Sequence, residues 1–250
     1  MRVAIAGLGL VGGSIARGLA AAGHHVTGLD DPAVLRRARR AGAIAASAAS
    51  AAEAAARSDV VFLAAPPRAN LRLLRTLAGG GHGAIVTDVG SVKRPICAEA
   101  VRLGLGGFVG GHPMAGSAAT GFGASDAALF QGRAWVLTPA AGRRPPRMLL
   151  ALIRDLGARP VVVTTPAEHD RAVAFLSHVP QILAWALADA SGADAVTRRY
   201  LRLAGPAYRD MTRIAGSPRR LWAQILDQNR DEVHRALVAL RRALVRRSPR

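Results

Sequence analysis

The sequence predicts an α/β protein in two parts: an N-terminal parallel-sheet domain over residues 1–165 and an all-helical domain over residues 166–250. In the first part, short apolar runs alternate with helical patterns, which is typical of parallel strands joined by right-handed crossover helices. In the second part, helical patterns follow one another and no convincing strand pattern remains. A chain of 250 residues is long enough to bury a substantial core in each part.

Seven segments of the first part are predicted as strands, because each is a short apolar run bounded by a turn or a helical pattern. They are Arg2–Ala6, His25–Leu29, Val60–Ala65, Ala84–Asp88, Phe108–Gly110, Ala134–Thr138 and Pro160–Thr164. Helices are predicted between them over Gly12–Ala22, Pro32–Ala41, the segment with Leu71, Leu73, Leu74 and Leu77, Val92–Leu103 and Pro146–Leu156.

The second part is predicted as two long helices over residues 167–190 and 218–247, with shorter helical pieces between them. Ala172–Leu187 is apolar on nearly all sides, which marks a helix buried over most of its surface. In a helical region of only 85 residues, this apolar surface predicts packing against a second subunit. We therefore expect a homodimer formed through the C-terminal helices.

The net charge of +18 raises the question of nucleic-acid binding. The excess positive charge is +6 over residues 1–100, +5 over 101–165 and +7 over 166–250, so it is spread along the chain. Nucleic-acid-binding proteins usually concentrate their positive charge on one face or arm. All but one of the 34 basic residues are arginines, and this bias, in a chain rich in Ala and Gly, indicates GC-rich codons. Nucleic-acid binding is therefore not predicted.

The sequence predicts a cytoplasmic protein without a metal site. The first 30 residues lack the pattern of a signal peptide, and no window of 18 apolar residues without a charge predicts a membrane span. The single cysteine, Cys97, cannot form an internal disulfide, which fits a reducing compartment. The seven histidines and this cysteine show no metal-ligand spacing.

A glycine-rich turn after the first predicted strand predicts a dinucleotide site. The pattern G-x-G-x-x-G opens the first predicted helix, where free N–H groups and the helix dipole favour a diphosphate. Its residues are Gly7, Leu8, Gly9, Leu10, Val11 and Gly12. The sequence therefore predicts a Rossmann-type domain.

Two further positions are assigned to this cofactor site. Asp30 ends the second strand 18 residues after Gly12. A carboxylate there accepts hydrogen bonds from a ribose 2′-hydroxyl and repels a 2′-phosphate, so NAD is predicted over NADP. Pro66, which directly follows the third predicted strand, is the second position. Arg36 and Arg37 leave the strictness of the preference for NAD open.

Four further motifs follow the glycine turn along the chain. They are Asp88-Val89-Gly90-Ser91-Val92-Lys93, Gly111-His112-Pro113-Met114-Ala115-Gly116-Ser117, Ser177-His178-Val179-Pro180-Gln181 and Tyr208-Arg209-Asp210-Met211-Thr212-Arg213-Ile214-Ala215. These motifs resemble those of the prephenate and arogenate dehydrogenase family of tyrosine biosynthesis. With the glycine turn they extend over nearly the whole chain, in the order that the family shows. The resemblance implies NAD-dependent oxidative decarboxylation of prephenate, arogenate or both, and a Rossmann domain followed by a helical dimerisation domain.

The resemblance also implies roles for individual residues. His112 is the base that takes the proton of the ring hydroxyl, which suits a side chain with an ordinary pKa near 6.5. Ser91 is hydrogen-bonded to the imidazole or to the hydroxyl, and Arg213 binds a substrate carboxylate through its guanidinium fork. The other substrate-binding candidates are His178, Gln181, Ser117 and Lys93, the last being the only lysine in the chain.

Several points stay open in the sequence. Trp222 is predicted near the site, in the core or at an interface, and Asp210 is predicted to orient Arg213. Ala118 and Ala119 follow the histidine motif where prephenate-using relatives often carry a polar residue, so the choice between prephenate and arogenate is not predicted.

Two other functions are compatible with a Rossmann domain followed by helices. A dehydrogenase of the 3-hydroxyacid type would need a catalytic lysine in the helical part, and the chain has no lysine after Lys93. A dinucleotide-sensing protein without catalysis is expected to lack a base, whereas Ser91, His112 and Arg213 are all present. Both alternatives are therefore disfavoured.

Overall fold

Eight strands of the N-terminal part form one sheet in the computed structural model, which describes residues 1–80, 83–139, 143–162 and 165–247. The strands are β1 Arg2–Ala6, β2 His25–Leu29, β3 Ala46–Ser47, β4 Val60–Leu63, β5 Ile85–Asp88, β6 Phe108–Pro113, β7 Ala134–Pro139 and β8 Arg159–Val162. Their order across the sheet is β3-β2-β1-β4-β5-β6-β7-β8. All neighbours are parallel except β6 and β7, and the predicted α/β class is confirmed.

Among the described residues, six helices connect these strands, and a seventh follows the last one. They are α1 Leu10–Ala21, α2 Pro32–Arg40, α3 Ala51–Ala56, α4 Pro67–Ala78, α5 Arg94–Arg102, α6 Arg147–Asp155 and α7 Pro166–Val173, and a 3-10 turn covers Phe122–Ala124. The chain divides into two compact units, Met1–His169 and Asp170–Arg250. Of the predicted strand Pro160–Thr164, Val163 and Thr164 lie outside the described residues.

Strand β3 and helix α3 are absent from the sequence prediction. The helix is marked by a capping box, since Ser50 accepts a hydrogen bond from the backbone N–H of Glu53 and Glu53 accepts one from Ala49. The alanines that follow show no apolar periodicity, because Ala is both a core and a surface residue of helices. The Ser50-x-x-Glu53 spacing was the available signal.

Strand β7 is antiparallel to β6, an exception within the predicted parallel sheet. The segment between them, residues 114–133, contains only the 3-10 turn Phe122–Ala124. A parallel return needs a crossover connection, usually a helix, while an antiparallel partner does not. The antiparallel ladder also extends β6 to Pro113, three residues beyond the predicted end at Gly110.

The sheet is covered by apolar side chains on both faces. Val3 and Ile5 belong to one buried cluster, and Ala4 and Ala6 belong to the cluster on the other face. This alternation follows from the two-residue period of a strand. Full burial of each large aliphatic side chain contributes about 1.5–3 kcal/mol, so the central strands are the rigid frame for the loops at their ends.

The second unit contains only helices among its described residues. A π-helical turn, Ala174–His178, continues into α8 Val179–Ala193, followed by α9 Ala195–Tyr200, α10 Pro206–Thr212, α11 Arg219–Gln228 and α12 Arg230–Arg247, with 3-10 turns at Leu201–Leu203 and Arg213–Gly216. The single helix predicted over residues 218–247 is broken at Asn229, whose side chain bonds to other segments. By length and composition alone, Pro166–Ala193 is apolar enough to cross a membrane.

Candidate active site

Most predicted site residues of the first unit lie at one edge of the sheet. The glycine turn follows β1, Asp30 follows β2, Ser91 follows β5 and His112 lies near the end of β6. These strands are parallel, so their carboxyl ends lie at the same edge, where open α/β sheets bind their ligands. Sheet topology alone therefore brings the predicted cofactor and proton-transfer residues together.

The glycine turn has the geometry of a diphosphate cradle. Gly7 has φ +97°, and a Cβ there would lie 2.6 Å from the backbone nitrogen of Ala65. A Cβ at Gly12 would lie 1.8 Å from the carbonyl oxygen of Gly7, so neither position tolerates a side chain. At Gly9, by contrast, no atom of the described residues lies within 4 Å of the corresponding point. The space above Gly9 is open for a ligand, and the first-turn N–H groups of α1 lie beside it.

Asp30 is bonded to the glycine turn itself. Its carboxylate accepts hydrogen bonds from the backbone N–H groups of Leu8, at 2.5 Å, and Asp31, at 2.7 Å. The end of β2 is thus fixed to the loop after β1. Each carboxylate oxygen keeps a second lone pair, which is the acceptor capacity that a ribose hydroxyl requires.

The loop after β4, which includes Pro66, is held by a residue that the sequence analysis did not identify. Asn70 is buried, and its side chain accepts from the N–H of Ala65 at 3.0 Å and donates to the carbonyl of Leu63 at 3.1 Å. Ala65 is the residue against which Gly7 packs. Asn70 therefore fixes the wall behind the glycine turn.

Lys93 is fully buried and forms an ion pair with Asp88 at the end of β5. Its ammonium also donates to the carbonyl oxygen of Gly111 at 2.7 Å, while the N–H of Gly111 donates to Asp88 at 3.0 Å. The pair thus ties β5 to the residue before His112. A direct contact of Lys93 with substrate stays a prediction.

Gly110 and Gly111 lie where strand β6 is crowded by its neighbours. A Cβ at Gly110 would lie 2.3 Å from the hydroxyl of Thr138, and one at Gly111 would lie 2.4 Å from the carbonyl of Asp88. The two glycines allow β6 to pack this closely, and they also explain why the sequence analysis ended the strand too early. Glycine is depleted in strands, so strand propensity is low at the two positions where the close packing of β6 requires glycine.

His112 lies within β6, beyond the predicted strand end at Gly110, and is 7% exposed. Its Nδ1 lies 2.9 Å from Nε2 of His169, and the two rings meet edge to face at 71°. His169 is 2% exposed and lies on α7. The spacing of the two histidines along the chain does not predict this contact.

The two predicted serines lie in loops. Ser91 is half-buried after β5 and makes no hydrogen bond within the part of the chain that the structure describes, so its predicted bond to the imidazole or the substrate hydroxyl stays a prediction. Ser117 is exposed and accepts a hydrogen bond from the N–H of Ala119 at 3.2 Å.

In the second unit, the buried side chain of His178 is surrounded by aromatic and amide groups. Its Nδ1 lies 3.1 Å from the amide nitrogen of Asn229, which also donates to the carbonyl of Asp170 at 2.8 Å. The indole of Trp222 meets the imidazole edge to face at a centroid distance of 5.9 Å. The π-helical turn ends at His178, and such turns are frequent at functional sites.

Gln181 is linked to the segment of Arg213 by a hydrogen bond to the backbone of the next residue, Ile214. The buried amide of Gln181 donates to the carbonyl of Ile214 at 2.9 Å, and the indole of Trp185 donates to the carbonyl of Ala215 at 2.9 Å. Helix α8 therefore holds the turn that begins at Arg213. The guanidinium of Arg213 is exposed and has no ion pair with Asp210, or with any other described residue.

Two protein-family models match the chain. The nucleotide-binding domain of prephenate dehydrogenase matches residues 15–175, and the dimerization domain of prephenate dehydrogenase matches residues 165–247. The chain belongs to the prephenate dehydrogenase family. The resemblance read from the motifs is thereby confirmed.

Curated relatives from this family align along most of the chain. Prephenate dehydrogenase of Bacillus subtilis (strain 168) is 34% identical over 243 residues, 92% of this chain and 65% of the relative. Cyclohexadienyl dehydrogenase of Zymomonas mobilis is 32% identical over 239 residues, 91% of this chain and 80% of the relative. The chain thus spans slightly less than two thirds of the length of the Bacillus enzyme.

Solved structures of prephenate dehydrogenase family members have the same fold. Prephenate dehydrogenase from A. aeolicus, in complex with hydroxyphenyl propionate and NAD⁺, matches with a TM-score of 0.87 and 29% identity, over 98% of this chain and 88% of that chain. Synechocystis arogenate dehydrogenase matches with a TM-score of 0.81 and 30% identity, over 98% of this chain and 90% of that one.

In this member of the prephenate dehydrogenase family, the predicted site residues lie in two groups. The cofactor turn, Asp30, Ser91 and His112 belong to the sheet edge of the first unit. His178, Gln181 and the turn of Arg213 belong to the second unit. The sequence analysis assigned no role to His169, Trp185 and Asn229, which contact His112, the turn of Arg213 and His178. It also assigned none to Asn70 and Asp88, which support the first group through Ala65 and Gly111.

Proposed function

We propose that this chain is an NAD-dependent dehydrogenase that oxidatively decarboxylates prephenate, arogenate or both. The observation that carries the proposal is the position of His112. The motif histidine of the prephenate dehydrogenase family lies buried at the sheet edge that also holds an open dinucleotide cradle. A proton acceptor and a hydride acceptor at one edge are what the reaction requires.

The residues present fit NAD. Gly9 leaves space for a diphosphate above the start of α1, and Asp30 presents carboxylate oxygens at the end of β2. When bound, NAD⁺ would supply the acceptor for a hydride from the ring carbon that carries the hydroxyl. Gly7, Leu8, Gly9, Leu10, Val11, Gly12, Asp30 and Pro66 are the residues we assign to its binding. Residues 1–165 are the proposed NAD-binding domain.

His112 is the proposed base. Its imidazole takes the proton of the ring hydroxyl as hydride leaves the same carbon, so the C–O bond becomes a carbonyl. The ring carboxylate then departs as CO₂, and its bonding electrons make the ring aromatic. The imidazolium returns the proton to the phenolate oxygen, so the net reaction converts substrate and NAD⁺ into the phenol product, CO₂ and NADH. Ser91 orients the imidazole or the hydroxyl.

Substrate binding is proposed for residues of the helical domain, residues 166–250. Arg213 offers an exposed guanidinium without an ion pair among the described residues, and a guanidinium fork suits a carboxylate. Gln181 supports the turn of Arg213, and His178, Ser117 and Lys93 remain candidates for contact or support.

We also propose that the protein is a cytoplasmic homodimer that binds neither nucleic acid nor membrane. The helical unit exposes large apolar side chains, with Phe175 at 50% and Leu176 at 71% on adjacent positions of the π-helical turn. Leu203, Met211 and Val245 are exposed as well. Apolar surface of this kind favours burial against a second copy, and a dimerization-domain model matches this region.

To test this function, NADH formation by the purified chain is measured with NAD⁺ and either prephenate or arogenate. Turnover with one or both substrates is the expected result and identifies the preference that Ala118 and Ala119 leave open. Absence of turnover with both, in a protein that still binds NAD⁺, would contradict the proposed activity and favour a non-catalytic dinucleotide-binding role.

A further inference from the structure

The His112 imidazole contacts a second buried histidine, His169. Nδ1 of His112 and Nε2 of His169 are 2.9 Å apart, and both rings are more than nine-tenths buried. Two ring nitrogens at this distance form a hydrogen bond only if one carries a proton and the other does not. The protonation pattern of each ring is therefore linked to that of the other.

Both rings are held by their backbones. His112 is paired with Val136 of β7, and the preceding residue, Gly111, bonds to Asp88. His169 lies in the first turn of α7, where its N–H donates to the carbonyl of Thr165 at 3.2 Å. The hydroxyl of Thr165 accepts from the N–H of Glu168 at 3.1 Å and caps the same turn. A strand and a capped helix end fix the distance between the two imidazoles.

We propose that His169 is a positioning residue for the base His112. Nε2 of His169 accepts the proton on Nδ1 of His112, which leaves Nε2 of His112 as the nitrogen with a lone pair. That nitrogen then takes the substrate's hydroxyl proton. This inference rests on the proposed function, because it assigns the acceptor role to His112.

The same bond acts after proton transfer. When His112 becomes an imidazolium, its Nδ1–H stays directed at His169, and a hydrogen bond from a charged donor is stronger than one between neutral groups. A carboxylate plays this part for the histidine of serine proteases, where it holds the ring in the required tautomer. Here the acceptor is a neutral imidazole, so the pair keeps no permanent negative charge beside the base.

The test compares two substitutions of His169. His169→Gln keeps an acceptor near the position of Nε2, whereas His169→Leu removes it at similar volume. We expect His169→Leu to lower kcat about 100-fold, within the range for a positioned general base, with the KM for NAD⁺ changed less than about 3-fold. His169→Gln is expected to recover most of kcat. His25→Gln and His25→Leu, at an exposed histidine of β2, are the matched controls.

A double variant separates positioning from a general structural effect. If His169 acts through His112, the variant with His112→Asn and His169→Leu is no slower than His112→Asn alone, because residues that act as a unit are not additive. An additive loss, or wild-type kcat in His169→Leu, would overturn the proposal. Thermal unfolding of each variant shows whether it folds.

A second measurement does not depend on activity. Nitrogen-15 NMR of labelled histidines in the wild-type protein reports which ring nitrogen carries the proton. The expected result is a His112 tautomer protonated at Nδ1, and a His112 protonated at Nε2 would overturn the proposal. If the wild-type chain turns over neither substrate, the proposed function fails, while the NMR result still decides the histidine pair.

Discussion

The two units fix their candidate residues in different ways. In the first unit, Asp88, Gly111 and His112 are held by hydrogen bonds between neighbouring strands, and their positions follow from the order of the sheet. In the second unit, Gln181 and Asn229 reach backbone carbonyls of segments 33 and 59 residues away in sequence. Strand order therefore builds one group, while the packing of helices builds the other.

The two groups also differ in exposure. His112 and Lys93 are buried among fixed polar partners, whereas Arg213 is exposed and forms no ion pair with a described residue. A buried base acts on a bound substrate, and an exposed guanidinium captures an anion from water. Substitutions in the first group should therefore lower kcat or stability, and those in the second should raise the KM of the substrate.

The largest effect is expected for His112→Asn. Loss of a general base lowers the rate by about 10²- to 10⁴-fold, so kcat should fall within that range while NAD⁺ affinity stays near the wild-type value. Steady-state kinetics and NAD⁺ titration measure the two quantities. His25→Asn, at an exposed histidine, is the control, and unchanged kcat in His112→Asn would remove His112 from the chemistry.

Lys93→Met is expected to reduce the free energy of unfolding by about 3–5 kcal/mol, because it leaves the Asp88 carboxylate buried without its counter-ion. Denaturant unfolding measures the loss. The double variant with Lys93→Met and Asp88→Asn should recover part of it, since no unpaired charge then remains. Arg230→Gln breaks an exposed ion pair with Asp227 in the second unit and should cost less than about 1 kcal/mol. Equal losses of unfolding free energy in the two single variants would contradict the expected difference between the buried ion pair of the first unit and the exposed one of the second.

Strand order explains why much of the first unit could be predicted. The glycine turn and Asp30 were found from their places after predicted strands, and the structure has both strands there. His169 could not be found in this way. It lies 57 residues from His112, and only the fold shows that the first turn of α7 reaches the end of β6.

The second unit was less accessible to sequence reasoning. The motif residues His178, Gln181 and Arg213 were named from the resemblance, but the bonds that gather them were not. Asn229 lies within a segment whose pattern is helical throughout, so the break there depends on its buried contacts with Asp170 and His178. Periodicity describes one helix face, whereas these bonds depend on how several helices pack.

Arg213→Gln tests the second group directly. Hydrogen bonds to a charged group contribute about 1.5–3 kcal/mol, so the KM of the substrate should rise about 10- to 100-fold while NAD⁺ affinity is unchanged. Arg209→Gln, at an exposed arginine of the same helical segment, is the matched control. A fall in kcat without a rise in KM would assign Arg213 to the chemical step instead.

The smallest effect is expected for Gln181→Leu, which acts on Arg213 through the backbone. The substitution removes the hydrogen bond to Ile214, but the bond from Trp185 to Ala215 still holds the turn. One such bond contributes about 1 kcal/mol, so the KM of the substrate should rise about 5-fold. In an Arg213→Gln background the same substitution should change KM little, because the group that it positions is already lost. An undiminished 5-fold effect in that background would mean that Gln181 contacts the substrate itself.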